Sequence, residues 1–285
     1  MDFLQPGSWA EALAAKAAHP DAVPIAGGTD VMVELNFDKH RPPALLDLNR
    51  VDELAQWETA DGRIRLGAGV SYTRVIDELG DVLPGLAMAS RTVGSPQIRN
   101  RGTVGGNLGA ASPAGDSHPA LLAAEADVEV ASTRGVRRIP IADFYTGVKR
   151  NALEPDELIA AIWITPPTGP QQFSKIGTRN AMVISVAAFG LALHPDRRAV
   201  GTGIGSAAPT PRRAPDAEAF LAAELDWDGR RELPDAIARE FGERVRAAAS
   251  PIDDVRGTAA YRLHSLSVMA RRALAWAWHD YQKAA

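Results

Sequence analysis

The amino-acid sequence predicts an α+β protein, in which a mixed first part is followed by consecutive strands and then by helices. Two observations support this fold class. Helical and strand-like patterns are interspersed up to a proline-rich break at 164–172, whereas strand patterns and then helical patterns follow that break without mixing. With 285 residues, of which 46% are hydrophobic and 23% charged, the chain is long enough for two globular domains.

The first part begins with a helix whose ends are marked in the sequence. Ser8 is a good N-cap, Glu11 follows three residues later, and Pro20 stops a helix predicted over 9–18. The next predicted elements are a strand and glycine turn followed by an apolar stretch in 23–35, strands in 44–51 and 63–72, helices in 71–79 and 84–94, and a helix followed by a strand in 120–132.

Segment 94–116 has a different character, because glycine, proline and small residues dominate it. It is too long and too poor in core-forming side chains to be one strand or one helix. Long irregular segments inside compact domains are usually functional or disordered, so we expect an irregular loop here. After the proline-rich break, strands of a meander are predicted in 173–177, 182–193 and 199–207, and helices in 215–225, 233–249 and 261–283.

The composition excludes several classes of function. A formal net charge of −4 argues against nucleic acid as the main partner. The chain has no cysteine, so it holds no disulfide, no cysteine nucleophile and no iron–sulfur cluster bound by thiolates. Its histidines are scattered, and we expect no metal site. The first residues lack a signal-peptide pattern and no stretch reaches the roughly 18 apolar residues of a membrane span, so we expect a soluble, cytoplasmic protein.

The first candidate binding motif is IAGGTD, from Ile25 to Asp30. A strand that runs into Gly27 and Gly28 can turn tightly and leave backbone N–H groups free, and such groups bind phosphate oxygens. Thr29 adds a hydroxyl donor. The alternative is a plain strand–turn–strand connection, since Gly-Gly turns are common.

The second candidate motif is TVGGNLGAASPAGD, from Thr103 to Asp116. Gly105 and Gly106 would let the backbone approach a bound group closely, and Asn107 offers amide donors and an acceptor. The following small residues leave room for a bulky group, and the final aspartate could accept from a hydroxyl or a ring N–H. A flexible surface loop is the alternative, but such a loop would be richer in Ser, Glu and Lys.

Other motifs are weaker or missing. The run at 201–205 approaches the dinucleotide fingerprint G-x-G-x-x-G, but Ser206 replaces the last glycine, which favours a glycine-rich strand end. Neither a phosphate-binding P-loop nor a nucleophile elbow is present. Arg99 and Arg101 flank the second motif and either hold phosphates or are ordinary surface charges. Lys175 and the nearby Arg179 either place positive charge near a cofactor or belong to a solvated turn.

The chain resembles the FAD-binding medium subunit of the molybdenum hydroxylases, which include xanthine dehydrogenase, carbon monoxide dehydrogenase and related N-heterocycle or aldehyde dehydrogenases. The resemblance covers essentially the whole chain. It rests on AGGTD, on the long segment PQIRNRGTVGGNLGAASPAGDSHPALLA, and on PDELI, KIGTRNAMVIS and AAPTPRRA, all in the same order. ASPAGDS and RNAMVIS are more similar to the xanthine dehydrogenase version than to that of carbon monoxide dehydrogenase.

The resemblance implies a fold, a cofactor and a set of binding residues. The fold is a two-lobed FAD-binding domain of the vanillyl-alcohol-oxidase (PCMH) type over 1–171, with lobes of about 1–52 and 53–171, followed by a C-terminal α+β domain of the CO dehydrogenase flavoprotein type over 172–285. FAD is expected without a covalent link, since the chain has no cysteine and no histidine at the attachment place. The FAD-binding residues carried over are Val23, Pro24, Ile25, Ala26, Gly27, Gly28, Thr29, Asp30, Thr103, Val104, Gly105, Gly106, Asn107, Gly109, Ala110, Asp116, Ile159 and Lys175.

The resemblance also implies partners and a division of labour. A small subunit would carry [2Fe-2S] clusters, a large subunit would carry molybdopterin, and the assembly would be a dimer of heterotrimers. This chain would contribute no catalytic residue and would pass electrons through FAD to NAD or another acceptor, while the complex oxidises xanthine or a related N-heterocycle. Alternatives are the medium subunit of a carbon monoxide or aldehyde dehydrogenase, a free-standing flavin oxidase or reductase, and an FAD-free scaffold subunit.

Overall fold

The structure is a computed structural model that describes residues 1–284. Its strands in chain order are β1 Asp2–Leu4, β2 Val23–Ile25, β3 Ala44–Asp47, β4 Trp57–Ala60, β5 Arg63–Gly67, β6 Asp127–Ser132, β7 Gly135–Pro140, β8 Tyr145–Gly147, β9 Arg150–Asn151, β10 Leu158–Ile164, β11 Gln171–Ile176, β12 Ala187–His194 and β13 Ala199–Gly205. Its α-helices are α1 Trp9–Ala18, α2 Val31–Asn36, α3 Tyr72–Glu78, α4 Pro84–Arg91, α5 Pro96–Arg101, α6 Val104–Ala110, α7 Ser117–Ala123, α8 Ile141–Phe144, α9 Pro215–Glu224, α10 Asp235–Ala247 and α11 Ala259–Lys283.

The first sheet is small and parallel, with the strand order β1-β3-β2. Parallel strands need crossover connections, and α1 lies in the connection from β1 to β2 while α2 lies in the connection from β2 to β3. The central strand β3 is buried along its whole length. Because the carboxyl ends of parallel strands meet at one edge, the turn after Ile25 and the chain after Asp47 lie side by side.

The second sheet has five antiparallel strands in the order β4-β5-β10-β6-β7. Its central strand β10 has the sequence LIAAIWI and is buried at every position, as expected for a strand covered on both faces. The register with β6 shifts between Ile159 and Ala161, which marks a bulge. Residues of both sheets and of the helices around them form one hydrophobic core, which includes Leu66, Leu108 and Leu121.

The third sheet is the predicted meander, with the order β11-β12-β13. The helices α9, α10 and α11 cover one of its faces and form a second core, in which Phe189 and Phe241 pack edge to face. The helix α7 packs against this sheet where β12 and β13 carry glycines. A methyl group added at Gly203 would lie 2.1 Å from the Pro119 carbonyl oxygen, so these glycines serve close packing of a helix and not dinucleotide binding.

The structure also shows where the sequence-based predictions were wrong. Segment 94–116 is not irregular, because it contains α5 and α6, which begin at side-chain caps on Ser95 and Thr103. The apolar stretch after the first glycine turn is the helix α2.

The described helices include none with the length and apolar character needed to cross a membrane.

Candidate functional site

The two glycine motifs lie against each other in the structure. A methyl group added at Gly27 would lie 1.8 Å from the carbonyl oxygen of Arg101, and one added at Gly102 would lie 3.5 Å from the Thr29 hydroxyl. The junction between α5 and α6 therefore packs directly on the turn between β2 and α2. Because no side chain larger than hydrogen fits at position 27, this contact requires glycine there.

The turn between β2 and α2 leaves its amides free. Within residues 1–284, no protein acceptor takes a hydrogen bond from the backbone N–H groups of 27–30. Gly28 has a φ of +73°, a left-handed conformation that glycine adopts without strain. Consecutive free N–H groups at a turn form a donor set suited to phosphate oxygens. The turn can therefore bind a phosphate group.

The other residues of the first motif have different roles. Residues 23–25 form β2, which leads into the turn, and Ile25 is buried in the sheet. Ala26 begins the turn, and its carbonyl accepts a hydrogen bond of 2.8 Å from Nδ2 of Asn49. Asp30 is exposed directly before α2. Because a helix follows the turn, the interpretation as a strand–turn–strand connection is wrong.

The start of the second motif serves mainly to hold α6 in place. The Thr103 hydroxyl accepts a hydrogen bond of 2.9 Å from the Gly106 amide and so caps the helix. Val104 is fully buried. A methyl group added at Gly105 would lie 2.5 Å from both Cβ and the carbonyl oxygen of Ala68, so this glycine allows close packing on the protein and faces no open site.

The opposite side of α6 is open. Gly106 and Gly109 are exposed, and Asn107 and Ala110 beside them are half-buried. A methyl group added at Gly109 would have only Cδ1 of Ile159 nearby, at 3.9 Å, so the structure places this residue of β10 beside the helix. A face of glycine and alanine exposes helix backbone over which a large planar group can lie.

A cavity of about 240 Å³ adjoins this face. Asn107 contributes to its wall, and its Oδ1 accepts a hydrogen bond of 2.6 Å from the Ser117 hydroxyl, which leaves the amide nitrogen free to donate. The lining residues are Val93, Gly94, Asn107, Ala114, Gly115, Asp116, Met182, Val183 and Ile184. The cavity therefore combines apolar walls with a few polar groups, as cofactor sites usually do.

Asp116 joins the second motif to the meander through a buried network. Its Oδ2 lies 2.5 Å from Nζ of Lys175, and its Oδ1 accepts a hydrogen bond of 2.6 Å from the Ser185 hydroxyl. Burial raises the pKa of Asp116, while the lysine ammonium and the hydroxyls of Ser185 and Thr92 oppose this increase. Lys175 is thus the counter-ion of a buried carboxylate, and its charge is not free to act on a bound cofactor.

A buried histidine that the sequence did not single out supports the cavity floor. His118 is fully buried, and its Nδ1 lies 2.8 Å from the Tyr145 hydroxyl. Burial lowers the pKa of His118 to about 3, so the ring is neutral at ordinary pH. Its Nε2 has no partner within residues 1–284 and lies 2.2 Å from where a methyl group on Gly115 would be. The tyrosine is distant in the sequence, so no local pattern indicates the pair.

These features fit FAD. The free amides after β2 can bind the two phosphates, the open face of α6 can accept the ribityl chain, and the cavity with its apolar walls can take an edge of the isoalloxazine ring. The N–H groups of the turn are available to the phosphates without rearrangement, because no acceptor within residues 1–284 competes for them.

Comparisons with known proteins agree with this arrangement. Residues 1–167 match the family model described as FAD binding domain in molybdopterin dehydrogenase, and residues 173–277 match the CO dehydrogenase flavoprotein C-terminal domain. The chain is 31% identical to a putative xanthine dehydrogenase FAD-binding subunit of Escherichia coli (strain K12), over 93% of this chain and 91% of that protein. It is 30% identical to the nicotine 6-hydroxylase medium subunit of Paenarthrobacter nicotinovorans, over 95% of each chain.

Solved structures show the same fold. A chain of the Cu,Mo-CO dehydrogenase matches with a TM-score of 0.89 and 27% identity over 98% of both chains. A chain of the quinoline 2-oxidoreductase from Pseudomonas putida 86 matches with a TM-score of 0.88 and 25% identity, over 99% of this chain and 98% of that one. The expected fold and resemblance are confirmed, and the chain belongs to the FAD-binding family of molybdopterin dehydrogenases, whose members are subunits of oxidoreductases.

Proposed function

We propose that this chain passes electrons from [2Fe-2S] clusters of a partner subunit through a non-covalently bound FAD to NAD or another acceptor. The observation that carries the proposal is the contact between the two glycine motifs, which places free amides beside the open face of α6 and the cavity. FAD can accept electrons singly and release them as a pair. The chain has no cysteine, so clusters must be on another chain.

We assign the residues of this site by the part of FAD that each would contact. The turn at 26–30 would bind the diphosphate. The open side of α6, with Gly106, Asn107, Gly109 and Ala110, would contact the ribityl chain and the ring. Ile159 would complete the wall on the side of β10, while the Asp116–Lys175 pair would fix the segment that borders the cavity. His118 is buried beneath Gly115 and hydrogen-bonded to Tyr145, so it is not placed to form a covalent link, which supports non-covalent binding of FAD.

The domain boundary and the partners are part of the same proposal. Two separate hydrophobic cores, on either side of the irregular segment before β11, support domains at 1–171 and 172–285. The lobes of about 1–52 and 53–171 correspond to the parallel sheet and the five-stranded sheet. A small [2Fe-2S] subunit and a large molybdopterin subunit would complete the enzyme. A dimer of heterotrimers and a cytoplasmic location stay predictions.

For the organic substrate of the complex we propose xanthine or a related N-heterocycle. The names of the E. coli relative and of the nicotine 6-hydroxylase medium subunit support this choice. A carbon monoxide dehydrogenase medium chain of Afipia carboxidovorans, 30% identical, and a glyceraldehyde dehydrogenase medium chain of Sulfolobus acidocaldarius, 26% identical, support the alternatives of carbon monoxide or an aldehyde. The free amides after β2 disfavour an FAD-free scaffold, because a lost site would not preserve them.

The experiment is to remove FAD binding inside the assembled complex. Gly28→Val places a β-branched residue at a φ of +73°, and Asn107→Asp replaces the free amide donor by a carboxylate. We expect the double variant to lose substrate-driven reduction of NAD and to keep reduction of a dye that takes electrons upstream of FAD. Loss of both activities at unchanged molybdenum and iron content would contradict the proposal. Turnover by the isolated wild-type chain would instead indicate a free-standing oxidase.

A further inference from the structure

The Arg101 side chain lies beside the turn that carries the free amides. Its Nη2 donates a hydrogen bond of 3.1 Å to Oδ1 of Asn49. Nδ2 of the same asparagine donates a hydrogen bond of 2.8 Å to the Ala26 carbonyl and one of 2.5 Å to Oδ1 of Asp47. The asparagine therefore connects the arginine to the first residue of the turn. The Arg101 carbonyl also contacts Gly27, so both ends of this arginine are fixed against the same turn.

The charge of Arg101 is not neutralised by the protein. Within residues 1–284 no carboxylate forms an ion pair with it, whereas most arginines of the first two sheets are paired, as Arg63, Arg65 and Arg137 are. Its neighbour is a neutral amide, and Asp47 is engaged by that amide instead. An unpaired guanidinium thus adjoins four backbone N–H groups that have no acceptor. All of these groups are donors, and together they are suited to bind an anion.

We propose that Arg101 is the cationic contact of the FAD diphosphate and that Asn49 is its positioning residue. The inference rests on the proposed function, because it takes the turn at 26–30 as the diphosphate site. A guanidinium binds phosphate through charge-assisted hydrogen bonds, which backbone amides alone do not provide. Asn49 holds Arg101 by its oxygen and the turn by its nitrogen, so the cation and the amides form one donor set. The sequence left open whether Arg101 holds phosphates or is an ordinary surface charge, and it did not single out Asn49.

The proposal makes FAD affinity depend on a phosphate-specific charge. Arg101 is exposed, so its contribution is screened by salt. Riboflavin has the same ring and ribityl chain but no phosphate, and it should not sense the arginine. The ratio of the two affinities therefore separates a diphosphate contact from general support of the fold.

The test uses the full chain in its native assembly, stripped of flavin and titrated separately with FAD and with riboflavin. For Arg101→Gln we expect the Kd for FAD to rise roughly tenfold at low salt, with less change at high salt and with riboflavin binding unaffected. Arg101→Lys should recover part of the loss. Asn49→Asp, which places a carboxylate against the guanidinium, should weaken FAD binding although the arginine is retained.

Arg272→Gln is the matched control, because this exposed arginine of α11 forms no ion pair or side-chain hydrogen bond within the described residues. It should leave both affinities unchanged. An unchanged Kd for FAD in Arg101→Gln overturns the inference, and so does an equal loss of FAD and riboflavin affinity. Failure of the wild-type assembly to bind FAD would instead overturn the proposed function.

Discussion

Gly27→Ala tests the contact between the two glycine motifs, because the added methyl group meets backbone and no side chain that could rotate away. Its Cβ would lie 1.8 Å from the oxygen and 2.4 Å from the carbon of the Arg101 carbonyl, and 3.0 Å from the Gly102 nitrogen. Real Cβ contacts are essentially never shorter than 3.0 Å, so the two segments must separate by more than an ångström.

The magnitude follows from what that separation breaks. Overpacking a well-packed position costs about 1–3 kcal/mol. Because the methyl group meets backbone that cannot rotate away, we expect the free energy of unfolding to fall by about 3 kcal/mol. The separation also pulls the turn at 26–30 away from α6, so we expect the Kd for FAD to rise at least tenfold, which corresponds to about 1.4 kcal/mol.

The assay is thermal or denaturant unfolding of the flavin-free protein, followed by FAD titration of the folded variant. Gly109→Ala is the matched control, because its nearest neighbour would be Cδ1 of Ile159 at 3.9 Å. The control should keep the stability of the wild type. If Gly27→Ala were as stable as Gly109→Ala and bound FAD with wild-type affinity, the contact between the two motifs would not form as described.

Acid precipitation of the purified complex should release all of its FAD into the supernatant, and flavin that stays with this polypeptide would refute non-covalent binding. Gly106→Val should remove FAD from a folded protein, because the added side chain fills the open face of α6. Gly106 is helical, so no positive φ contributes, although its Cβ would also lie 3.0 Å from the Thr103 hydroxyl. A folded variant with normal FAD content would contradict this. Asp116→Asn should cost about 3–5 kcal/mol because it leaves the Lys175 ammonium buried without a counter-ion, and a second change, Lys175→Met, should recover much of it if the ion pair is the cause. The pKa of His118 is about 3 in the folded protein against 6.5 for an ordinary histidine, so the stability that its buried neutral ring contributes is complete above pH 6.5 and is lost as the pH falls toward 3. Below pH 6.5 the free energy of unfolding should therefore fall by about 1.4 kcal/mol per pH unit more steeply in the wild type than in His118→Asn. Equal slopes would exclude this histidine as the source of the pH dependence.

Local signals in the sequence located most helices and strands. Ser8 caps the helix that it was predicted to begin, and its hydroxyl accepts a hydrogen bond from the Glu11 amide. The strands of the meander also follow the predicted order. These signals act over a few residues, so they can be recognised without knowledge of the tertiary structure.

The errors arise where tertiary packing decides the local structure. The sequence VGGNLGA has poor helix propensity, yet it forms α6, because Gly105 and Leu108 pack into the first core. The glycines near Gly203 resemble a nucleotide fingerprint only until the contact with Pro119 is seen. In both cases glycine permits an approach of two segments that lie far apart in the sequence.

The candidate site could be predicted by motif but not by contact. The two glycine motifs could be singled out from the sequence as separate segments, whereas their mutual contact through Gly27 and Arg101 has no local signature. The same holds for the ion pair of Asp116 and Lys175, which joins the residue before α7 to a residue of β11. Such pairs are set by topology, and a single sequence contains no direct record of them.

The central claim is that FAD held by this chain lies on the path by which electrons leave the enzyme. The most direct test is to add the organic substrate to the native complex without oxygen or acceptor and to follow the visible absorbance of the flavin. We predict that FAD, present in equimolar amount to this chain, is reduced by substrate and is reoxidised when NAD or the physiological acceptor is added. A complex whose iron–sulfur centres are reduced by substrate while its FAD stays oxidised, or that contains no FAD, would contradict the claim.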